Sequence, residues 1–164
     1  MAVRVEPLRE ADIPACLDIY NQYVLHTSVS PEEQALTLAQ YRQRVEEVLR
    51  AYPFIVARDA AGTVLGFAYL AAFNPRSAYR RSADLSIYVR ADYLHAHVGS
   101  LLLMHIEGLA RAQGIANIIS IITGSNERSC AFHEKNGFVL EGVIHEAAMK
   151  FGVLEDVRFY RKKL

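Results

Sequence analysis

Three features of the chain predict a mixed α/β (α+β) domain. Apolar residues alternate singly in some stretches and recur every three to four residues in others, in the order β-α-α-β-β-β-α-β-α-β-β. Two early strands are joined by a hairpin turn, whereas a late strand-helix-strand unit needs a crossover. Together these require a mixed, mostly antiparallel central sheet with helices on both faces. The 164 residues suit one domain spanning 1–164, and a composition 52% hydrophobic and 22% charged can fill its core without disulfides or metals.

Residues 3–6 alternate and read as a strand. Asp12 is an N-cap candidate with Pro14 in the first turn, and Leu17, Ile19, Tyr20 and Val24 give the following helix an apolar face. Residues 26–36 lack a period and include Pro31, which marks a loop. Thr37 caps a second helix running to Ala51, with Leu38, Tyr41, Val45 and Leu49 on one face and Pro53 as its stop. Strands 54–57 and 64–72 flank a turn at Asp59-Ala60-Ala61-Gly62, and Asn74-Pro75 breaks the second. Residues 84–89 form a further strand and 90–98 a polar loop with two histidines. Gly99 opens a helix to residue 113, with Leu102, Ile106, Leu109 and Ala110 inward and Gly114 as its C-cap. The β-branched run 117–123 is a buried strand. Asn126 caps a short helix over 127–135, which Asn136-Gly137 stops, and residues 138–144 and 153–161 are the last strands.

The charge balance narrows the partners. Eighteen basic residues match eighteen acidic ones, so there is no global attraction for nucleic acid or an anionic membrane. No apolar run reaches membrane-spanning length, and the first residues are too polar for a signal peptide. Two distant cysteines, Cys16 and Cys130, make neither a disulfide framework nor a zinc site, and the expectation is a reducing, cytoplasmic setting.

Chemistry concentrates in two places. The loop ending Ala96-His97-Val98-Gly99-Ser100 opens onto a helix, whose free N–H groups and dipole attract phosphate, and glycine lets a ligand approach. The second place is the run Asn126-Glu127-Arg128-Ser129, then Phe132-His133, then Asn136-Gly137-Phe138. Before the strand 84–89 lie Arg76, Tyr79 and Arg80, and arginine forks bind carboxylate or phosphinate in bidentate fashion. Each feature has an ordinary alternative. Asp84 reads equally as a strand-end carboxylate, His133 as a core histidine, and His95 and His97 as solvated loop residues without a third metal ligand.

To these add Gly66-Phe67-Ala68-Tyr69, Ala78-Tyr79-Arg80, Ser86-Ile87-Tyr88-Val89, Gly142, and Lys150-Phe151-Gly152 followed by Asp156. In this order, over nearly the whole chain, the set resembles the GNAT superfamily of N-acetyltransferases. Within it, the chain is most similar to the phosphinothricin and methionine sulfoximine acetyltransferase branch.

That resemblance implies a sheet in which the strand 84–89 splays from its neighbour at a bulge. It implies acetyl-CoA as a consumed co-substrate, no metal, and a small amine or amino acid as acceptor. Backbone groups of Ile87, Tyr88 and Val89 would hold the pantetheine arm, and His95, Ala96, His97, Val98, Gly99 and Ser100 the pyrophosphate. Asn126 and Ser129 would contact CoA further along. Asp84, where the branch carries Glu, would accept the amine proton directly or through water. His133, where many relatives have Tyr and this branch has His, would donate a proton to the thiolate or stabilise it. The oxyanion would meet a backbone N–H near Tyr88. Arg76, Tyr79 and Arg80 would contact the substrate, and Lys150 would serve either the acceptor pocket or sheet packing and dimerisation. A homodimer is also implied.

The chain departs from the family pattern at several points. Leu94 stands where the phosphate loop usually has Gln or Arg, and His97 where it has its first Gly. The segment after Thr27 lacks the usual aromatic and acidic residues, and Val153-Leu154 follows Lys-Phe-Gly in place of Arg and Trp. Two alternatives stay open at this level. One is a CoA-binding regulatory module. The other is an acetyltransferase acting on a protein N-terminus, a polyamine or an aminoglycoside.

Overall fold

A computed structural model describes residues 2–164. Seven strands form one sheet: β1 (Arg4–Pro7), β2 (Phe54–Arg58), β3 (Val64–Ala72), β4 (Ser82–Val89), β5 (Asn117–Thr123), β6 (Val139–Lys150) and β7 (Val153–Lys163). Four helices accompany them: α1 (Ile13–His26), α2 (Leu38–Leu49), α3 (Val98–Ala112) and α4 (Glu127–Lys135). The strand order is β1-β2-β3-β4-β5-β7-β6. Every neighbouring pair is antiparallel except β4 and β5, the pair joined through α3. This is the mixed, mostly antiparallel sheet that the element order requires.

Strand alternation sends β2 and β3 side chains to two cores. Val56 and Phe67 pack with Ile13, Cys16, Tyr20 and Val24 of α1 and Tyr41 and Val45 of α2. Ile55, Ala68 and Leu70 pack on the other face with Leu102, Leu103 and Ile106 of α3, joined by Tyr160 of β7. Thr37 caps α2 by accepting from the Gln40 amide.

Several local expectations need correction. The Asp12 carboxylate does not cap α1. It accepts the Arg9 N–H and pairs with Arg58 in the interior, leaving Pro14 to open the helix. Leu49 and Leu109 face solvent, and their places inward are taken by Val48 and Leu103. β4 starts at Ser82, α3 at Val98, and β6 runs to Lys150 rather than stopping at Ile144. Among the described residues no helix is long and apolar enough to cross a membrane.

Candidate active site

The site begins where β4 and β5 part. β4 stays in unbroken register with β3 from Val89 opposite Gly66 to Ala83 opposite Ala72, so it carries no bulge. Its parallel pairing with β5 covers only Ser82 to Asp84, opposite Asn117 to Ile119. Beyond Asp84 the two strands separate. Gly66 lets the far end of β4 press onto β3. A Cβ there would lie 2.7 Å from the Tyr88 carbonyl oxygen and 3.1 Å from the Val89 Cα.

Backbone parity decides what the cleft sees. The Arg90 N–H donates to the Leu65 carbonyl at 2.8 Å, so even-numbered β4 residues direct their polar groups to β3. Ile87 and Val89 therefore turn theirs into the cleft. Tyr88 does not, and its backbone is committed to β3. Ile87 and Val89 are thus the residues able to offer an N–H to an oxyanion or to an extended ligand, and Tyr88 contributes its ring.

A groove of about 670 Å³ continues from the cleft. Ile87, Tyr88, Val89, His95, His97, Gly99 and Ser100 line one side, and Asn126, Ser129, Phe132 and His133 line the other. Tyr23, Thr27 and Val29, from the end of α1 and the loop after it, complete the wall. Sequence reasoning missed these three. The signal was the placement of Tyr23 just off the apolar stripe of α1. The Val98 side chain is buried in the core while its amide is the first of α3, and the Ala96 N–H is spent on the Tyr93 carbonyl in a turn.

The N-cap of α3 is His97, in the left-handed region at φ 58°. This explains why the family pattern favours glycine there, and histidine is among the few side chains that tolerate the conformation. Gly99 lies inside the first turn, its α-carbon face against the Phe132 ring. The first amides of α3 have no partner within the helix and open towards the groove, which suits an anion. At α4, the Asn126 side-chain oxygen accepts the Ser129 N–H at 3.2 Å, which orients that helix end.

The His133 Nδ1 lies 2.8 Å from the Ser129 carbonyl oxygen, an acceptor only, so Nδ1 carries the proton. Nε2 is then the lone-pair nitrogen. The ring is buried between Phe132, Phe138 and Tyr160, and burial lowers its pKa. Burial thus favours the neutral ring, with Nε2 as its acceptor nitrogen.

Asp84 occupies the fork itself. Its side chain shares the α1/α2 face of β4 with Ser86 and Tyr88. Its Oδ1 is buried without a hydrogen-bond partner among the described residues. Burial pushes the carboxyl pKa up to about 6. Arg76, Tyr79 and Arg80 lie on the exposed turn leading into β4, at the same end as Asp84. Neither arginine makes an ion pair among the described residues. Lys150 is elsewhere in role. Its buried ammonium donates to the carbonyls of Val24, Ser30 and Glu32, which leaves no proton for a substrate. Among the described residues no cluster of three His, Cys, Asp or Glu is arranged for a metal.

A model of the acetyltransferase (GNAT) domain matches residues 5–157. The chain belongs to the GNAT acetyltransferase family. An L-methionine sulfoximine/L-methionine sulfone acetyltransferase of Pseudomonas aeruginosa is 33% identical over 165 residues, covering 100% of this chain and 96% of the relative. Among solved structures, this GNAT chain superposes with a TM-score of 0.96 on a phosphinothricin acetyltransferase from Sinorhizobium meliloti in complex with AcCoA. That pair is 31% identical and covers 100% of this chain and 89% of the other. A ribosomal-protein-alanine N-acetyltransferase from Brucella melitensis is similar at a TM-score of 0.94 and 32% identity, covering 98% and 99% of the two chains. The resemblance read from the sequence therefore holds for both family and fold.

Proposed function

We propose that this chain transfers an acetyl group from acetyl-CoA to the primary amine of a small amino acid or amino-acid analogue, directly and without a covalent enzyme intermediate. The observation that carries this reading is Asp84: a buried carboxylate with an unpartnered oxygen, standing where the cleft edged by Ile87 and Val89 opens. The residues fit the co-substrate. Ile87 and Val89 present strand-like polar groups to a pantetheine arm, and the amides at the start of α3, beside His95 and His97, suit its pyrophosphate.

The chemistry follows from these placements. An amino-acid ammonium must lose a proton before its nitrogen can attack, and a carboxylate with a raised pKa is matched to that task near neutrality. Asp84 takes the proton, directly or through one water. The nitrogen lone pair then forms a bond to the thioester carbon, and the carbonyl oxygen gains charge facing the N–H of Ile87 or Val89. Collapse breaks the carbon–sulfur bond. The second amine proton ends on the sulfur. The neutral His133 starts with an acceptor nitrogen, so it relays a proton taken from the nitrogen rather than bringing its own. Arg76 and Arg80 offer the acceptor's carboxylate a bidentate partner, and Tyr79 stands beside them.

Two further parts of this reading concern assembly and setting. The chain pairs with a second copy through the exposed apolar face of β5, β6 and β7. Its two free, buried thiols suit a reducing, cytoplasmic compartment.

The test is a thiol-release assay with acetyl-CoA over a panel of amino acids, methionine sulfoximine, phosphinothricin and a peptide with N-terminal alanine. The expected result is turnover of one or more free amino-acid-like amines. For that acceptor, kcat/KM falls as pH drops below about 6, because protonation removes the Asp84 base. Asp84→Asn should lose roughly 100-fold or more in kcat. Turnover of the peptide alone would replace the small-molecule reading, and an undiminished Asp84→Asn variant would remove Asp84 from the mechanism.

A further inference from the structure

Tyr23 has no part in the proton transfers above, yet it stands in the cofactor groove at the end of β4. Its phenol donates to the Val89 carbonyl oxygen at 2.5 Å. Its ring meets Tyr88 edge-on, with centroids 5.5 Å apart. Val89 is the last residue of the strand and one of those whose backbone faces the cleft. Without Tyr23 its carbonyl would be an open acceptor in line with the groups that a strand-like ligand reads. Nothing in chain connectivity requires this link, since 66 residues separate the two partners.

We propose that Tyr23 is a positioning residue that ends the edge read by the pantetheine arm. The idea rests on the acetyl-CoA reading and sharpens it. With the Val89 carbonyl occupied, β4 offers the ligand the Ile87 N–H, the Ile87 carbonyl and the Val89 N–H, and no acceptor beyond. The ligand group opposite Val89 is then a carbonyl oxygen, and a ligand N–H past that point finds no partner on the strand. The arm leaves β4 there and turns towards the start of α3. The same bond ties the free end of β4 to α1, which keeps the cleft at fixed width before the ligand arrives. Burial keeps the phenol protonated, so it remains a donor across the working pH range.

Tyr23→Phe removes the hydroxyl and keeps the ring against Tyr88. In the full chain it should weaken acetyl-CoA binding by about three- to tenfold in calorimetry, the worth of one hydrogen bond. KM for acetyl-CoA should rise in step, while kcat at saturation changes less than twofold and the acceptor KM stays put. Hydrogen exchange should quicken at the amides of residues 87–90. An unchanged affinity and unchanged exchange would overturn the proposal. So would a fall in kcat with affinity intact, which would place the phenol in the chemistry instead. If the variant does not fold, the wild-type chain labelled with ¹³C at the Val89 carbonyl gives the answer. That resonance should stay in place on adding CoA, and a shift showing that the ligand takes the carbonyl would overturn the idea. A wild-type chain that binds no acetyl-CoA would remove the parent reading, a result distinct from equal binding by wild type and Tyr23→Phe.

Discussion

A histidine in the left-handed region costs the chain energy that glycine would not spend. His97 bears that cost at the N-cap of α3, where its backbone turns the loop so that the first helical amides open on the groove. The departure from the family pattern is thus one of side chain and not of backbone: the turn is made in spite of the imidazole. His97→Gly should stabilise the chain by about 1 kcal/mol in urea denaturation and tighten acetyl-CoA binding, because the ligand can approach those amides more closely. Weaker binding in that variant would show that the imidazole has a contact of its own with the cofactor. At this scale the sequence was readable where chemistry is local. Asn126 caps α4 as its type and position suggest, and Asp84 stands at the fork. The state of His133 was not readable, because it depends on a carbonyl one turn back and on rings from β7 and the chain after α4.

The elements divide in the same way. β5 and α4 have the limits that their residues announce: a β-branched run for the strand, and Asn126 and Gly137 as start and stop for the helix. β6 does not. Its register slips between Ile144 and Ala148, where Glu146 adopts φ 52° and the Asp156 carboxylate accepts the Glu146 N–H at 2.9 Å. The partner that rescues this bulge lies on β7, so the local run of Glu, Ala and Ala gives no sign of a strand. Lys150, at the end of β6, shows the same limit more sharply. Its three carbonyl partners are 118 to 126 residues away, in the last turns of α1 and the loop that follows. That loop is also stitched to the end of β5, through Thr123 to the Ser28 carbonyl and through Ser28 to Ser125. Lys150 therefore holds the wall of the groove at Thr27 and Val29 from behind. Lys150→Met keeps the stem and deletes the donors, leaving buried carbonyls unpaired. The expected loss is about 3 kcal/mol in equilibrium unfolding, with faster hydrogen exchange across residues 24–32. A loss under about 1 kcal/mol would mean that water reaches those carbonyls and that the ammonium is not their main partner.

For the whole molecule, the sheet has one face region that its own helices leave bare. Ile121 on β5, Ile144 on β6 and Val153 at the start of β7 share this face by register and are each at least half exposed. Contiguous apolar surface of this kind marks an interface more often than a solvated face. Strand alternation puts part of it beside the chemistry. Ile119 is the register partner of Asp84, and Ile121 is two residues further on the same face, opposite Phe159. A second copy seated there would wall the acceptor side of the fork while leaving the acetyl-CoA groove, which runs from the opening between β4 and β5 towards α3 and α4, untouched. The wild-type chain should therefore sediment at about twice its 18.4 kDa mass at micromolar concentration. Ile144→Asp should sediment as a monomer. Because Ile144 is 53% exposed in the single chain, its replacement should leave the melting curve of the monomer little changed. The functional consequence is selective. In the monomeric variant KM for the acceptor rises, whereas KM for acetyl-CoA holds, since only the acceptor wall is lost. A wild-type chain that sediments at 18.4 kDa, or an Ile144→Asp variant with both KM values unaltered, would show that the acceptor pocket is complete within one copy.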